Sequence, residues 1–119
     1  NFLISMINKE LNALETTDIE LNEKQDIHLF SNILDINGID SEHIKQLVQQ
    51  GNQNKTIFIT SPNYHDARIN IDRFVDQFQN QINMLYESQY DLRVYCKDFR
   101  SKKYRNRRVK NYSKVFEIN

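Results

Sequence analysis

Asp26-Ile27-His28-Leu29-Phe30-Ser31-Asn32-Ile33-Leu34-Asp35-Ile36-Asn37-Gly38 is the stretch whose conformation decides the fold. Ile27, Phe30, Ile33 and Leu34 recur at the spacing that gathers side chains on one face of a helix. Asn22, with Gln25 three residues later, has the form of an N-terminal cap before that run. Asp35-Ile36-Asn37-Gly38 would end it, because Asn and Gly tolerate the positive φ of a tight turn. The expectation is a helix followed by a sharp turn.

Toward the C-terminus, Asp40 or Ser41 caps a third, short helix carrying Ile44, Leu47 and Val48, and Gly51 suits its C-terminal end. Thr56-Ile57-Phe58-Ile59 is a compact β run within residues 55–60, stopped by Pro62. From about Ala67 to Tyr86, the residues Ile71, Phe74, Val75, Phe78, Ile82 and Leu85 share one face of a longer helix. Residues 91–99 then alternate Leu92, Val94 and Cys96 against Arg93, Tyr95 and Lys97, a strand pattern. Tyr112, Phe116 and Ile118 mark a last strand. Toward the N-terminus, Leu3, Ile7, Leu11 and Leu14 predict an amphipathic first helix ending near Thr16-Thr17-Asp18. Phe2, Leu3, Ile4, Met6 and Ile7 give that helix more apolar surface than one packing face needs, and exposure left over would mark a protein contact.

The order helix, helix, tight turn, helix, strand over residues 1–60 resembles a winged-helix domain. The resemblance is carried by residues 26–30, the turn Asp35-Ile36-Asn37-Gly38-Ile39, the helix over residues 41–51 and the strand Thr56-Ile57-Phe58-Ile59-Thr60. A similar pattern closes the small OB-fold subunits of replication protein A and of the telomeric CST complex, where the winged helix mainly binds other proteins. It implies an α+β, elaborated winged-helix-like domain of four helices with a small antiparallel sheet, working in a replication or telomere setting. Residues 1–60 would be the helix-turn-helix plus strand, and residues 61–119 the long helix and a basic-tipped hairpin, within a single domain. The third helix departs from a DNA reader. Ser41, Glu42, Gln46, Gln49 and Gln50 could touch bases, but Lys45 is its only cation, and phosphate neutralisation supplies most nucleic-acid affinity.

A chain of 119 residues fits one domain with one modest core. Recurrent Ile, Leu, Phe and Val argue against intrinsic disorder, and no apolar run is long enough to span a bilayer. The start, Asn1-Phe2-Leu3-Ile4-Ser5-Met6, has neither an initiator Met nor a basic leader and reads as a cut-out domain or a partially ordered chain, not a signal peptide. The lone Cys96 cannot form an internal disulfide, which favours a reducing, intracellular compartment. The polar run Gln49-Gln50-Gly51-Asn52-Gln53-Asn54 fits a compositional bias toward Asn and Gln and needs no functional reading.

Zero net charge hides a segregation. Residues 1–99 hold 8 Lys/Arg against 15 Asp/Glu, whereas residues 100–119 hold 8 Lys/Arg against Glu117 alone. The cations concentrate in Arg100, Lys102, Lys103, Arg105, Arg107, Arg108 and Lys110, with Tyr104 among them. Set as the connection between two hairpin strands, these side chains would fan outward. Tyr104 could stack an unpaired base while the cations follow a phosphate backbone. That chemistry favours RNA or single-stranded DNA over the reading of a duplex sequence, for want of a groove-fitting helix, with an acidic protein partner as the alternative. A solvated loop attracted to the acidic body is the bland reading of the same residues. Lys102-Lys103 and Arg105-Asn106-Arg107-Arg108 also have the composition of a nuclear-localisation signal.

Catalytic and metal chemistry find little footing. His28, His43, His65 and Cys96 fall on different expected elements without metal-ligand spacing, so neither metal nor cofactor is expected. Cys96 lies with Leu92 and Val94 on the apolar side of its strand, where packing is its natural role. Ser61, His65 and Asp66 are close in sequence, but neighbours in a loop diverge in space, and capping of the next helix by Ser61 or Asn63 accounts for them. Gly38 and Gly51 are the only glycines, too few for a phosphate-cradling loop. The expected function is a non-catalytic interaction module of a DNA- or RNA-maintenance complex, bound to a protein partner and touching nucleic acid through its basic hairpin. The alternatives are a free-standing viral or plasmid nucleic-acid-binding protein, and a small enzyme in which His65, Asp66, Tyr95 and Asp98 converge.

Overall fold

The computed structural model describes residues 6–19, 25–34, 36–51 and 53–118. Within them the order is β1 (Gln25–Ser31), α1 (Ser41–Val48), β2 (Asn54–Ser61), α2 (His65–Asp76), β3 (Ile82–Lys97) and β4 (Tyr104–Ile118). The strands form one mixed sheet in the order β1-β2-β4-β3. β1 runs parallel to β2, and both neighbours of β4 are antiparallel to it. Four helices with a small antiparallel sheet are therefore not what the described chain forms. The class is α+β, with two α-helices packed on a four-stranded mixed sheet.

The decisive stretch is a strand. His28 and Phe30 point to the helices while Ile27 and Leu29 point to solvent, and the pairing runs from Gln25↔Asn54 to Ser31↔Thr60. Asn32 donates to Thr60 O at 2.9 Å and takes a positive φ of 55°, a conformation Asn tolerates, and this ends the ladder. Parallel strands need a crossover, and α1 supplies it. The side chain of Asp40 accepts from His43 N at 3.1 Å at the start of α1, as an N-cap should. Asn22, the cap expected for a helix here, lies outside the described residues, as does Asp35.

The expected long helix over residues 67–86 is also corrected. α2 stops at Asp76, and Gln79 takes a positive φ of 51° in the turn that follows. Ile82 and Met84 then alternate inward as β3, opposite Ile118 and Phe116. Leu85, placed by the helical period on a buried face, sits at a β-bulge and is exposed. Nor does the expected first helix form over the described residues 6–14. Residues 6–10 are irregular, short 3-10 turns cover Leu11–Ala13 and Thr16–Asp18, and residues 1–5 lie outside the description. Asn12 ties this segment down, donating to Gly38 O at 2.8 Å and accepting from Asp40 N at 2.9 Å. Met6 and Ile7 are exposed.

The core lies between the helices and one face of the sheet. Ile44, Leu47 and Val48 of α1 and Ile71, Phe74 and Val75 of α2 meet Phe30, Ile57, Ile59, Tyr112 and Phe116. Phe30, Phe74, Phe78 and Phe116 form a continuous line of rings with centroids 5.3 to 5.9 Å apart. The edge-to-face contacts among them add to the stabilisation from burial. Among the described residues nothing covers the other sheet face. Leu29, Phe58 and Tyr86 are exposed there, in one row across the strands with Val115.

Candidate nucleic-acid interface

β2 pairs only with residues 112–118 of β4, whereas β3 accompanies β4 along nearly its whole length. Residues 90–97 and 104–111 therefore leave the sheet as a two-stranded ribbon, eight pairs or about 25 Å long at ~3.3 Å per residue. Asn63 and Tyr64 brace its base. Asn63 Nδ2 donates to Tyr90 O at 3.4 Å, and the Lys110 ammonium lies 5.4 Å from the centre of the Tyr64 ring. One expectation is corrected here. The basic segment is not mainly a loop, because the connection is residues 98–103 and the cations from Arg105 to Lys110 are on a paired strand.

Strand alternation sorts these cations by face. Tyr112 and Phe116 are buried against the helices, so even-numbered residues of β4 face that side and odd-numbered ones face the uncovered side. Tyr104, Arg108 and Lys110 share the helix side with Arg93, Tyr95 and Lys97 of β3. Arg105 and Arg107 face the other side with Leu92, Val94, Cys96 and Val109. Arg100, Lys102 and Lys103 are in the tip loop. The structure thus divides the eight candidate residues between two faces and a tip. It adds Arg93 and Lys97, which the sequence reading used only to recognise a strand.

Residues 91–110 hold nine Lys/Arg against Asp91 and Asp98, an excess of seven positive charges. Arg93 is directly opposite Arg108, a like-charge pairing that weakens a ladder. Asp91 relieves part of it by accepting from Arg108 Nε at 2.7 Å and from a terminal guanidinium nitrogen at 2.5 Å. That fork holds the Asp91 carboxyl below the usual carboxylate range and raises the Arg108 guanidinium. Asp98 is the other acid. Its carboxyl is lowered chiefly by the Arg100 backbone N–H, which donates to it at 2.9 Å, and Arg105 approaches it only to 3.9 Å. Tyr95 and Tyr104 stack with centroids 5.1 Å apart and planes 11° from parallel, and Lys97 lies 6.0 Å from the Tyr104 ring centre. Both rings are exposed, offering an aromatic surface beside cations.

The ribbon joins the body through a charged cluster at its root. Lys114 lies 3.0 Å from an Asp72 carboxylate oxygen and 3.3 Å from Glu87, and the Tyr112 hydroxyl donates to Asp72. Burial opposes the Lys114 charge, but the bonds with Asp72 and Tyr112 prevail and raise its pKa. Burial, helped by the bond to Asp72, raises the Tyr112 hydroxyl.

The other sequence candidates are scattered. His28 is on β1, where burial lowers its pKa and leaves Nε2 without a hydrogen-bond partner. His43, on α1, donates from Nε2 to Leu14 O at 2.6 Å. The buried Ser61 hydroxyl donates to Pro62 O, and Asn63 Oδ1 accepts from Arg68 at 2.7 Å, so neither caps α2; its N-cap is Tyr64, without a side-chain bond. His65 and Asp66 open α2, while Tyr95 and Asp98 lie out on the ribbon. Among the described residues, no group of three or more His, Cys, Asp or Glu side chains could hold a metal, and no helix is long and apolar enough to cross a membrane. No protein-family model matches the sequence, and comparison with curated proteins and with solved structures gives no significant match.

Proposed function

We propose that the protein is a non-catalytic nucleic-acid-binding module, of the kind a DNA- or RNA-maintenance assembly holds on its substrate, with the basic ribbon as its contact. The observation that carries this reading is the like-charged ribbon standing clear of the sheet. Holding Arg93 against Arg108, with five excess charges on about 25 Å of paired ribbon and two more at its tip, costs stability in the free protein. A phosphate backbone lowers that cost by placing anions between the cations and releasing its own counterions.

Chemistry on both faces supports the assignment. Arg93, Lys97, Arg108 and Lys110 line the helix side beside the Tyr95–Tyr104 stack. Arg105 and Arg107 point the other way, so a strand could be gripped from either side. The rest of the chain carries the compensating negative charge, which repels a polyanion and confines contact to the ribbon.

Fluorescence anisotropy with labelled single-stranded and duplex oligonucleotides, at low and at near-physiological salt, tests this. Binding should weaken steeply with salt and be lost when Arg105, Arg107 and Arg108 become Glu. Absence of binding at low salt, together with capture of an acidic polypeptide by the same residues, would assign the ribbon to a protein partner instead.

A further inference from the structure

The tip of the ribbon carries a side chain that the cationic reading does not use. Phe99 is 94% exposed. Its loop is held by internal bonds: Asp98 N donates to Lys103 O at 2.8 Å, Arg100 N donates to Asp98 Oδ1 at 2.9 Å, and Lys102 takes a positive φ of 53°. The phenyl ring therefore projects from a braced turn into water. Together with Cys96, Lys97, Asp98, Arg100 and Arg107 it lines an open concavity. An apolar ring at the far end of an isolated ribbon contributes nothing to the core, while its neighbours are the cations that would hold phosphates.

Resting on the nucleic-acid reading above, we propose that Phe99 is a wedge that enters the stack of duplex DNA. Two-stranded ribbons enter duplex grooves, and the tip is the part that reaches the base pairs. Apolar side chains inserted between base steps unstack them at an energetic cost and bend the duplex away from the inserted group. Here the cost is offset by removing the phenyl ring from water and by bringing Lys97, Arg100, Lys102 and Lys103 to the phosphates on either side of the kink. Flexible pyrimidine–purine steps, which open most easily, are the preferred targets.

The test uses the full chain with a duplex carrying 2-aminopurine at a central TA step and donor and acceptor dyes at its ends. Wild type should brighten the 2-aminopurine and shorten the end-to-end distance. Phe99→Ala should abolish both while keeping the salt dependence of binding, and Phe99→Trp should restore the brightening. Duplex binding by wild type with no brightening and no shortening would overturn the wedge and leave the nucleic-acid reading intact. Binding confined to single strands would also overturn it, assigning Phe99 to stacking on an unpaired base. No binding to any oligonucleotide at low salt would remove both readings together.

Discussion

Replacing Ile27 and Phe30 one at a time separates the strand from the helix that the sequence pattern suggests. On the helical reading both side chains share one buried face. In the structure Ile27 is 67% exposed and Phe30 only 9%. Ile27→Thr keeps a β-branched side chain and gives up contacts on at most the buried third of it, on the order of 50 Å² or at most ~1.3 kcal/mol at ~25 cal/mol per Å². Phe30→Ala removes a ring 5.9 Å from Phe74 and leaves a cavity among packed aromatics. Such truncations cost about 3–5 kcal/mol, a large share of the roughly 5–15 kcal/mol that keeps a domain folded. Urea unfolding followed by far-ultraviolet circular dichroism, with slopes compared to confirm two-state behaviour, measures both. Equal costs for the two variants would refute the register of β1. So would an Ile27→Thr cost of ~2 kcal/mol or more, the penalty of burying an unpartnered hydroxyl.

Two further outcomes follow from buried polar groups. Tyr112→Phe should cost about 1 kcal/mol by losing the bond to Asp72, and a cycle with Asp72→Ala should show coupling of roughly 0.5 kcal/mol or more; additive costs in urea unfolding would mean that the cluster at the ribbon's root does not act as a unit. Burial lowers the pKa of His28, with Lys55 acting in the same direction and Asp26 opposing, so the fold favours the neutral imidazole. Its contribution to stability is fully present above the unfolded value of ~6.5 and is lost as pH falls from there toward the folded value. Between pH 7.5 and 5.5, wild type should therefore lose more stability than His28→Gln, and equal losses would contradict that linkage.

Local signals were enough for α1 and β2. Asp40 precedes one apolar helical face, and Thr56-Ile57-Phe58-Ile59 is a β run with Pro62 beyond it. They failed at β1 because the uncovered sheet face is itself apolar. Ile27 and Leu29 point outward, so the alternation that would expose a strand is blurred, and Ile27, Phe30, Ile33 and Leu34 imitate a helical stripe. The pairing that decides the matter is with Asn54 to Thr60, nearly thirty residues away. At α2 the apolar period continues from Phe78 to Ile82 and Leu85 across a turn whose positive-φ residue is Gln79, so no Gly or Pro marks the break. The charge segregation was plain in the sequence. That the cations lie on a paired strand was not, because β4 begins inside the basic run and only its pairing with residues 82–97 shows it.

The measurement that tests the central claim most directly is the dependence of duplex affinity on salt. If about six of the nine ribbon cations meet phosphates, the logarithm of the binding constant should fall with the logarithm of salt at a slope of roughly −5. Neutralising Lys103, Arg105 and Arg107 together should make that slope shallower by about 2.7, and weaken binding about 100-fold near 0.15 M salt. A slope near zero for duplex and single-stranded oligonucleotides alike, or one that the triple variant leaves unchanged, would contradict the ribbon as a nucleic-acid contact.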